Sequence, residues 1–113
     1  MDPQRILLTG MSDGGTFSYT SGLLAGSPFT HLAPVAAAFN PMLAAMAEGE
    51  RMNGLPIHII HGQRDRIFHV AMAQEAQQHL LRTGAAVTYR EIADLSHGYG
   101  ADLSTMILDW LLA

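Results

Sequence analysis

Arg5-Ile6-Leu7-Leu8-Thr9-Gly10-Met11-Ser12-Asp13-Gly14-Gly15 is the stretch that decides how this chain is read. Its first five residues form a short apolar run that stops at Gly10, the pattern of a strand buried in a sheet. From Gly14 to residue 25, small and apolar side chains recur at Phe17, Ser21 and Leu24 with Gly22 among them, which predicts a helix weakened by its glycines. Ser12 therefore stands at a strand-to-helix junction, inside a G-x-S-x-G pattern. A serine at the apex of so tight a turn is forced into a strained backbone conformation, and its hydroxyl is thrust out above the sheet. Glycines at 10 and 14 are expected because strand end and helix start approach too closely for a Cβ. The N–H of Asp13, at the helix start, is then placed to hold negative charge developing on an oxygen. So short a pattern arises by chance in roughly one chain in twenty, and its weight comes from its setting. The competing reading is a glycine-rich turn that cradles a phosphate or merely packs tightly. Against the phosphate version, the loop lacks the lysine that nucleotide-binding loops place beside their last glycine.

Outward from this turn the chain alternates. Residues 32–39 lead into the turn signal Asn40-Pro41, and their second half reads as a strand, although alanine is a poor strand former. Residues 42–52, apolar at Met42, Ala45, Met46 and Ala47, predict a short helix ended near Asn53-Gly54. Pro56-Ile57-His58-Ile59-Ile60-His61-Gly62 is the clearest strand, opened by proline and closed by glycine. Residues 70–83 put Val70, Ala73, Ala76, Leu80 and Leu81 on one face, with Gly84 as the stop. Ala86-Val87-Thr88-Tyr89-Arg90-Glu91-Ile92 is β-branched and alternating, a fourth strand. Leu103, Met106, Ile107, Trp110 and Leu111 then fall at helical spacing. Such alternation predicts a single α/β domain over residues 1–113, with about four parallel strands, right-handed crossovers and helices on both faces. In sheets of this kind chemistry gathers in the loops beyond the carboxyl ends of the strands, here after Thr9, Phe39, Gly62 and Ile92.

Two of those loops supply partners for the serine. Gly62-Gln63-Arg64-Asp65 delivers Asp65, and Asp94-Leu95-Ser96-His97-Gly98 delivers His97. A serine hydroxyl is a poor nucleophile without a base, and the base needs an orienting carboxylate. Asp94 competes for the orienting role, but it lies only three positions before His97, and so short a loop gives poor geometry. Asp65 is preferred, which sets the chain order Ser12, Asp65, His97.

Taken together, residues 5–15, residues 55–65 and Ile92-Ala93-Asp94-Leu95-Ser96-His97 resemble the carboxyl-terminal half of an α/β-hydrolase of the carboxylesterase/phospholipase sort. The resemblance implies Ser12 as nucleophile, His97 as general base and then acid, Asp65 as orienting acid, and hydrolysis through an acyl-enzyme with no cofactor. It implies an oxyanion hole that includes the N–H of Asp13. It also implies a partial α/β-hydrolase sheet. Family members place several strands before the nucleophile strand, and a loop giving a second oxyanion-hole N–H; this chain begins at Met1-Asp2-Pro3-Gln4 without them. Family members commonly carry proline shortly after the acid, where this chain has Asp65-Arg66-Ile67-Phe68-His69-Val70. The expectation is a serine hydrolase of small carboxylic esters, weakened by the missing first half. The alternative is an inactive truncated hydrolase acting only as an assembly or binding module. A thioester or peptide-like leaving group fits the same machinery. With one side of the strand at residues 6–8 left bare, homo-oligomerisation or pairing with a missing amino-terminal half is expected.

Composition narrows the field further. Of 113 residues 49% are hydrophobic and 14% charged, which excludes a disordered chain and suits one small domain. A net charge of −4 and no lysine/arginine stripe argue against nucleic acid as a partner. No apolar run approaches the ~18 to 20 residues a membrane span needs. Met1 to Arg5 lacks the look of a signal peptide, so a cytoplasmic location is expected. Without cysteine there is no disulfide framework and no thiolate metal site. His61, Asp65 and His69 are spaced four apart and could share a helical face around zinc, but Gly62 and the preceding strand argue for a loop, so no metal is expected. His58, between Ile57 and Ile59, is expected to be a packed histidine with a backbone partner, and His31 and His79 to be surface groups. Met42, Met46 and Met52 either fill core or line an acyl pocket. Tyr99 either walls the site or packs.

Overall fold

The chain's most regular strand, β3 (Pro56–Gly62), is where its sheet is organised. A computed structural model of the protein describes residues 3–24, 26–40, 42, 49–97 and 102–113. β1 (Leu7–Met11), β2 (His31–Val35), β3 and β4 (Ala86–Ile92) form one sheet in the order β1-β2-β3-β4. Every neighbouring pair is parallel, with Leu8 beside Leu32, Leu32 beside Ile57 and Ile57 beside Val87.

A parallel sheet whose strands follow in sequence order carries its crossover helices on one face when all crossovers share a hand. The core divides accordingly. On one face, α1 (Asp13–Gly22), α2 (Gly49–Met52) and α3 (Val70–Arg82) contribute Tyr19, Met52, Ala73, Ala76 and Leu80 against Leu32, Ile57 and Ile59. On the other, α4 (Leu103–Leu112) sets Leu103 and Ile107 against Ala33, Val35 and Ile60. Successive β3 residues point alternately into these two cores, so the strand reads as an unbroken apolar run and is buried almost throughout.

Several expectations need correction. β1 runs on through Gly10 to Met11 and is half-exposed rather than buried, because among the described residues only β2 pairs with it. β2 takes the first half of its apolar stretch, not the second. Ala36 adopts a φ of 50° and ends the strand, while its N–H donates to the carbonyl of Ile60 at 3.0 Å. In α1 the buried residues are Gly15, Ser18, Tyr19 and Gly22, while Phe17 and Leu24 stay exposed. The helix lies so close to the sheet that a Cβ on Gly22 would collide with the Leu32 side chain. Small residues therefore face inward there. The expected helix over 42–52 is seen at Gly49–Met52, with Met52 buried and Met42 exposed; Ala45, Met46 and Ala47 lie outside the described residues.

The histidines also depart from expectation. His31 and His58 both pack their rings on Trp110, at centroid distances of 5.3 and 5.2 Å. His58 is buried, and among the described residues its Nδ1 has no hydrogen-bond partner, so the expected backbone partner is missing at that nitrogen. Burial, with Arg90 nearby, pushes its pKa down. His31 is half-buried, and burial followed by Arg5 lowers its pKa too. His79 is half-buried with its ring 6.2 Å from Phe39. Among the described residues no helix is long and apolar enough to cross a membrane.

Candidate active site

β1 ends directly in Ser12, whose backbone sits at φ 58°, ψ −118°. A non-glycine residue pays a conformational cost there and persists only when its surroundings hold it. Two hydrogen bonds do so: the Ser12 N–H donates to the Val35 carbonyl at 2.9 Å, and the Ser12 carbonyl accepts from the Thr16 N–H at 2.9 Å. Gly10 is required, since a Cβ there would lie 2.5 Å from the Gly14 carbonyl carbon. Gly14 is not, because a Cβ on it would meet nothing within 4 Å. The second crowded position is Gly15, where a Cβ would lie 2.7 Å from the Ala37 Cβ and 2.9 Å from the Val35 oxygen. Crowding thus sits one residue later than the sequence pattern suggests, because it is the end of β2, not β1 alone, that hems in the helix. Asp13 begins α1 with its side chain exposed, and its N–H is among the helix-start amides without an intrahelical acceptor.

The loops after β3 and β4 are joined along their backbones. Gln63 N–H donates to the Ile92 carbonyl at 2.9 Å and Arg64 N–H to the Leu95 carbonyl at 3.0 Å. Gly62 lets them close up, because a Cβ there would run into the Leu95 carbonyl. The carboxylate of Asp65, with no side-chain exposure, lies beside His97. Its Oδ1 accepts the N–H groups of Ile67 at 2.9 Å and Phe68 at 2.8 Å. Its Oδ2 lies 2.8 Å from His97 Nδ1, and His97 Nε2 lies 2.8 Å from Ser12 Oγ. A carboxylate only accepts, so Nδ1 carries the ring proton and Nε2 is left to accept from the serine hydroxyl. Burial by itself would raise the Asp65 pKa. Hydrogen bonds from His97 and from the N–H groups of Phe68 and Ile67 outweigh it and hold the carboxyl below its ordinary value. The Phe68 ring stands edge-on to His97 at 5.5 Å.

The structure therefore brings Ser12, Asp65 and His97 together, with Asp13 next to the serine. Asp94 stays apart, its side chain 92% exposed and 3.9 Å from Arg64. His61, Asp65 and His69 do not form a metal site. His61 Nε2 is 2.6 Å from the Phe68 carbonyl, His69 caps α3 by accepting the Ala71 N–H, and no metal-holding cluster occurs among the described residues. His61 instead lies 3.2 Å from Asp65 Oδ2, a contact that its four-residue spacing from Asp65 across the turn could have signalled. A cleft of about 360 Å³ opens beside His97, lined by Arg64, Arg66, Ile67 and Ser96. Gly98 and Tyr99 lie outside the described residues.

A parallel sheet whose strand-end loops gather Ser12, Asp65 and His97 defines a protein of the α/β-hydrolase type. The Phospholipase/Carboxylesterase family model matches residues 1–110, and the chain belongs to that family. Among solved structures, Arabidopsis thaliana SOBER1 superposes with a TM-score of 0.86 at 22% identity, covering 99% of this chain and 54% of that one. Esterase PE8 follows at 0.82 and 21%, covering 98% and 52%. Zea mays acyl-protein thioesterase 2 gives 0.76 and 15%, covering 92% and 53%. The chain thus spans about half the length of these structures. No curated protein matches it significantly by sequence.

Proposed function

We propose that the chain carries the catalytic machinery of a serine hydrolase acting on carboxylic esters through an acyl-enzyme. The Ser12 hydroxyl gives its proton to His97 Nε2 as Oγ bonds to the ester carbonyl carbon. The carbonyl oxygen becomes an oxyanion and accepts a hydrogen bond from the Asp13 N–H. His97, now cationic and held by Asp65, returns the proton to the leaving alcohol oxygen as the carbon–oxygen bond breaks. Water then attacks the acylated serine with His97 again as base, releasing the carboxylic acid and restoring Ser12. The observation that carries this reading is the unbroken chain from Ser12 Oγ through His97 to Asp65, 2.8 Å at each link.

A fluorophosphonate probe tests it, because such probes react only with an activated serine hydroxyl. Labelling of the folded chain, lost in Ser12→Ala and His97→Ala, is expected, together with hydrolysis of a short-chain chromogenic ester. A folded chain that takes up no probe would instead favour a non-catalytic assembly module. A thioester in place of the ester would use the same steps, with a thiol leaving.

A further inference from the structure

We propose that His61 is a positioning residue for this site, holding the Asp65 carboxylate and the Phe68 backbone in register with His97; the inference rests on the hydrolase reading above. His61 is the sixth residue of β3, with 1% of its side chain exposed. Its Nε2 faces two acceptors, the Phe68 carbonyl at 2.6 Å and Asp65 Oδ2 at 3.2 Å. Since a carbonyl only accepts, Nε2 carries a proton and donates it to the Phe68 carbonyl, with the same N–H edge beside Asp65 Oδ2.

Two routes lead from that proton to the reacting serine. The first runs through the carboxylate. Asp65 accepts hydrogen bonds from Ile67 and Phe68 on Oδ1 and from His97 on Oδ2, and His61 Nε2 stands 3.2 Å from Oδ2 as a close polar contact. Without His61, Oδ2 loses that polar neighbour on the sheet and keeps its hydrogen bond to His97, the group it is meant to orient. The second runs through Phe68, whose N–H is tied to Asp65 and whose carbonyl is tied to His61. That peptide carries the ring standing edge-on to His97. His61 sits on the rigid sheet, while Asp65 and Phe68 sit in the loop that follows. It therefore transmits the sheet's fixed geometry to a segment that would otherwise set its own.

The test compares His61→Leu, which removes the donor, with His61→Gln, whose amide can supply an N–H in nearly the same place. His61→Leu is expected to slow saturating probe labelling of Ser12 about tenfold, the upper range for losing a hydrogen bond between neutral groups, with little change in probe affinity. His61→Gln is expected to recover most of that rate. The low-field proton resonance of His97 Nδ1–H should be present in the unsubstituted chain, weakened in His61→Leu and retained in His61→Gln. This resonance does not depend on turnover, so it judges the inference even if labelling of the unsubstituted chain fails and removes the hydrolase reading. If His61→Leu lowers the melting temperature but leaves both resonance and labelling rate unchanged, His61 only packs and the proposal is wrong. Should His61→Leu not fold, the unsubstituted chain still decides: a His61 ring protonated on Nδ1 rather than Nε2 overturns it.

Discussion

Replacing Asp65 by asparagine probes the proposed site with the least steric disturbance. The two side chains have nearly the same shape, but one oxygen becomes an NH2 group. The backbone N–H groups of Ile67 and Phe68 both point at Oδ1, so the amide oxygen of asparagine is held there. The NH2 group must then occupy the Oδ2 position, where it faces His97 Nδ1 at 2.8 Å. Two N–H donors cannot meet at that distance. The imidazole relieves the conflict by moving its proton to Nε2, which leaves no lone pair to accept from Ser12 Oγ. The serine loses its base although every heavy atom stays near its place. Holding the wrong tautomer costs about 10⁴ in turnover in a serine protease studied this way, and the same loss is expected here. At about 1.4 kcal/mol per factor of ten, that is roughly 5 kcal/mol of barrier. The assay is the rate of ester hydrolysis or probe labelling for Asp65→Asn relative to the unsubstituted chain, with folding checked by thermal melting. A variant that folds normally and reacts within tenfold of the parent would refute the orienting role of Asp65.

The crowding at the serine turn predicts opposite outcomes for two neighbouring glycines. Gly10→Ala should lower the denaturation midpoint because its Cβ meets backbone at Gly14, whereas Gly14→Ala, in open space within a helix, should be neutral or stabilising by up to ~1 kcal/mol. His58 has a buried nitrogen with no partner among the described residues, so His58→Leu should stabilise by about 1 kcal/mol, read as a melting temperature higher by roughly 4 °C. Because burial lowers the His58 pKa in the folded state, the unfolded chain binds protons first. Stability should therefore fall as pH drops through the ordinary value of 6.5, and less so in His58→Leu. The Asp65 carboxyl is held below its ordinary 3.8, so its contribution is full above that value and disappears as acid titrates it; Asp65→Asn should lack that part of the acid transition. Among the described residues the outer edge of β1 is unpaired, and beside it Leu7, Thr9, Ile107 and Leu108 line an apolar hollow. Self-association through this edge is expected. Light scattering should give a mass above that of one chain, reduced by Leu108→Lys.

Local pattern was enough for β3, β4 and α3, since strict alternation, an opening proline and stopping glycines act within a few residues of themselves. It was also enough to bring Ser12, Asp65 and His97 to one rim, because parallel strands all finish on the same side and each residue follows a strand end. What local pattern could not decide depends on distances between segments far apart in the chain. Only packing against Leu32 selects the small-residue face of α1, and only the path of the chain through Ala36 ends β2 where it does. The crowded glycine is 15 rather than 14 because Val35 and Ala37 come to lie over it. His61 reads in the sequence as one more buried strand residue. That its ring bonds the Phe68 carbonyl and lies beside Asp65 follows from a turn folding back on its own strand, a closure the order of residues permits and the three-dimensional arrangement brings about.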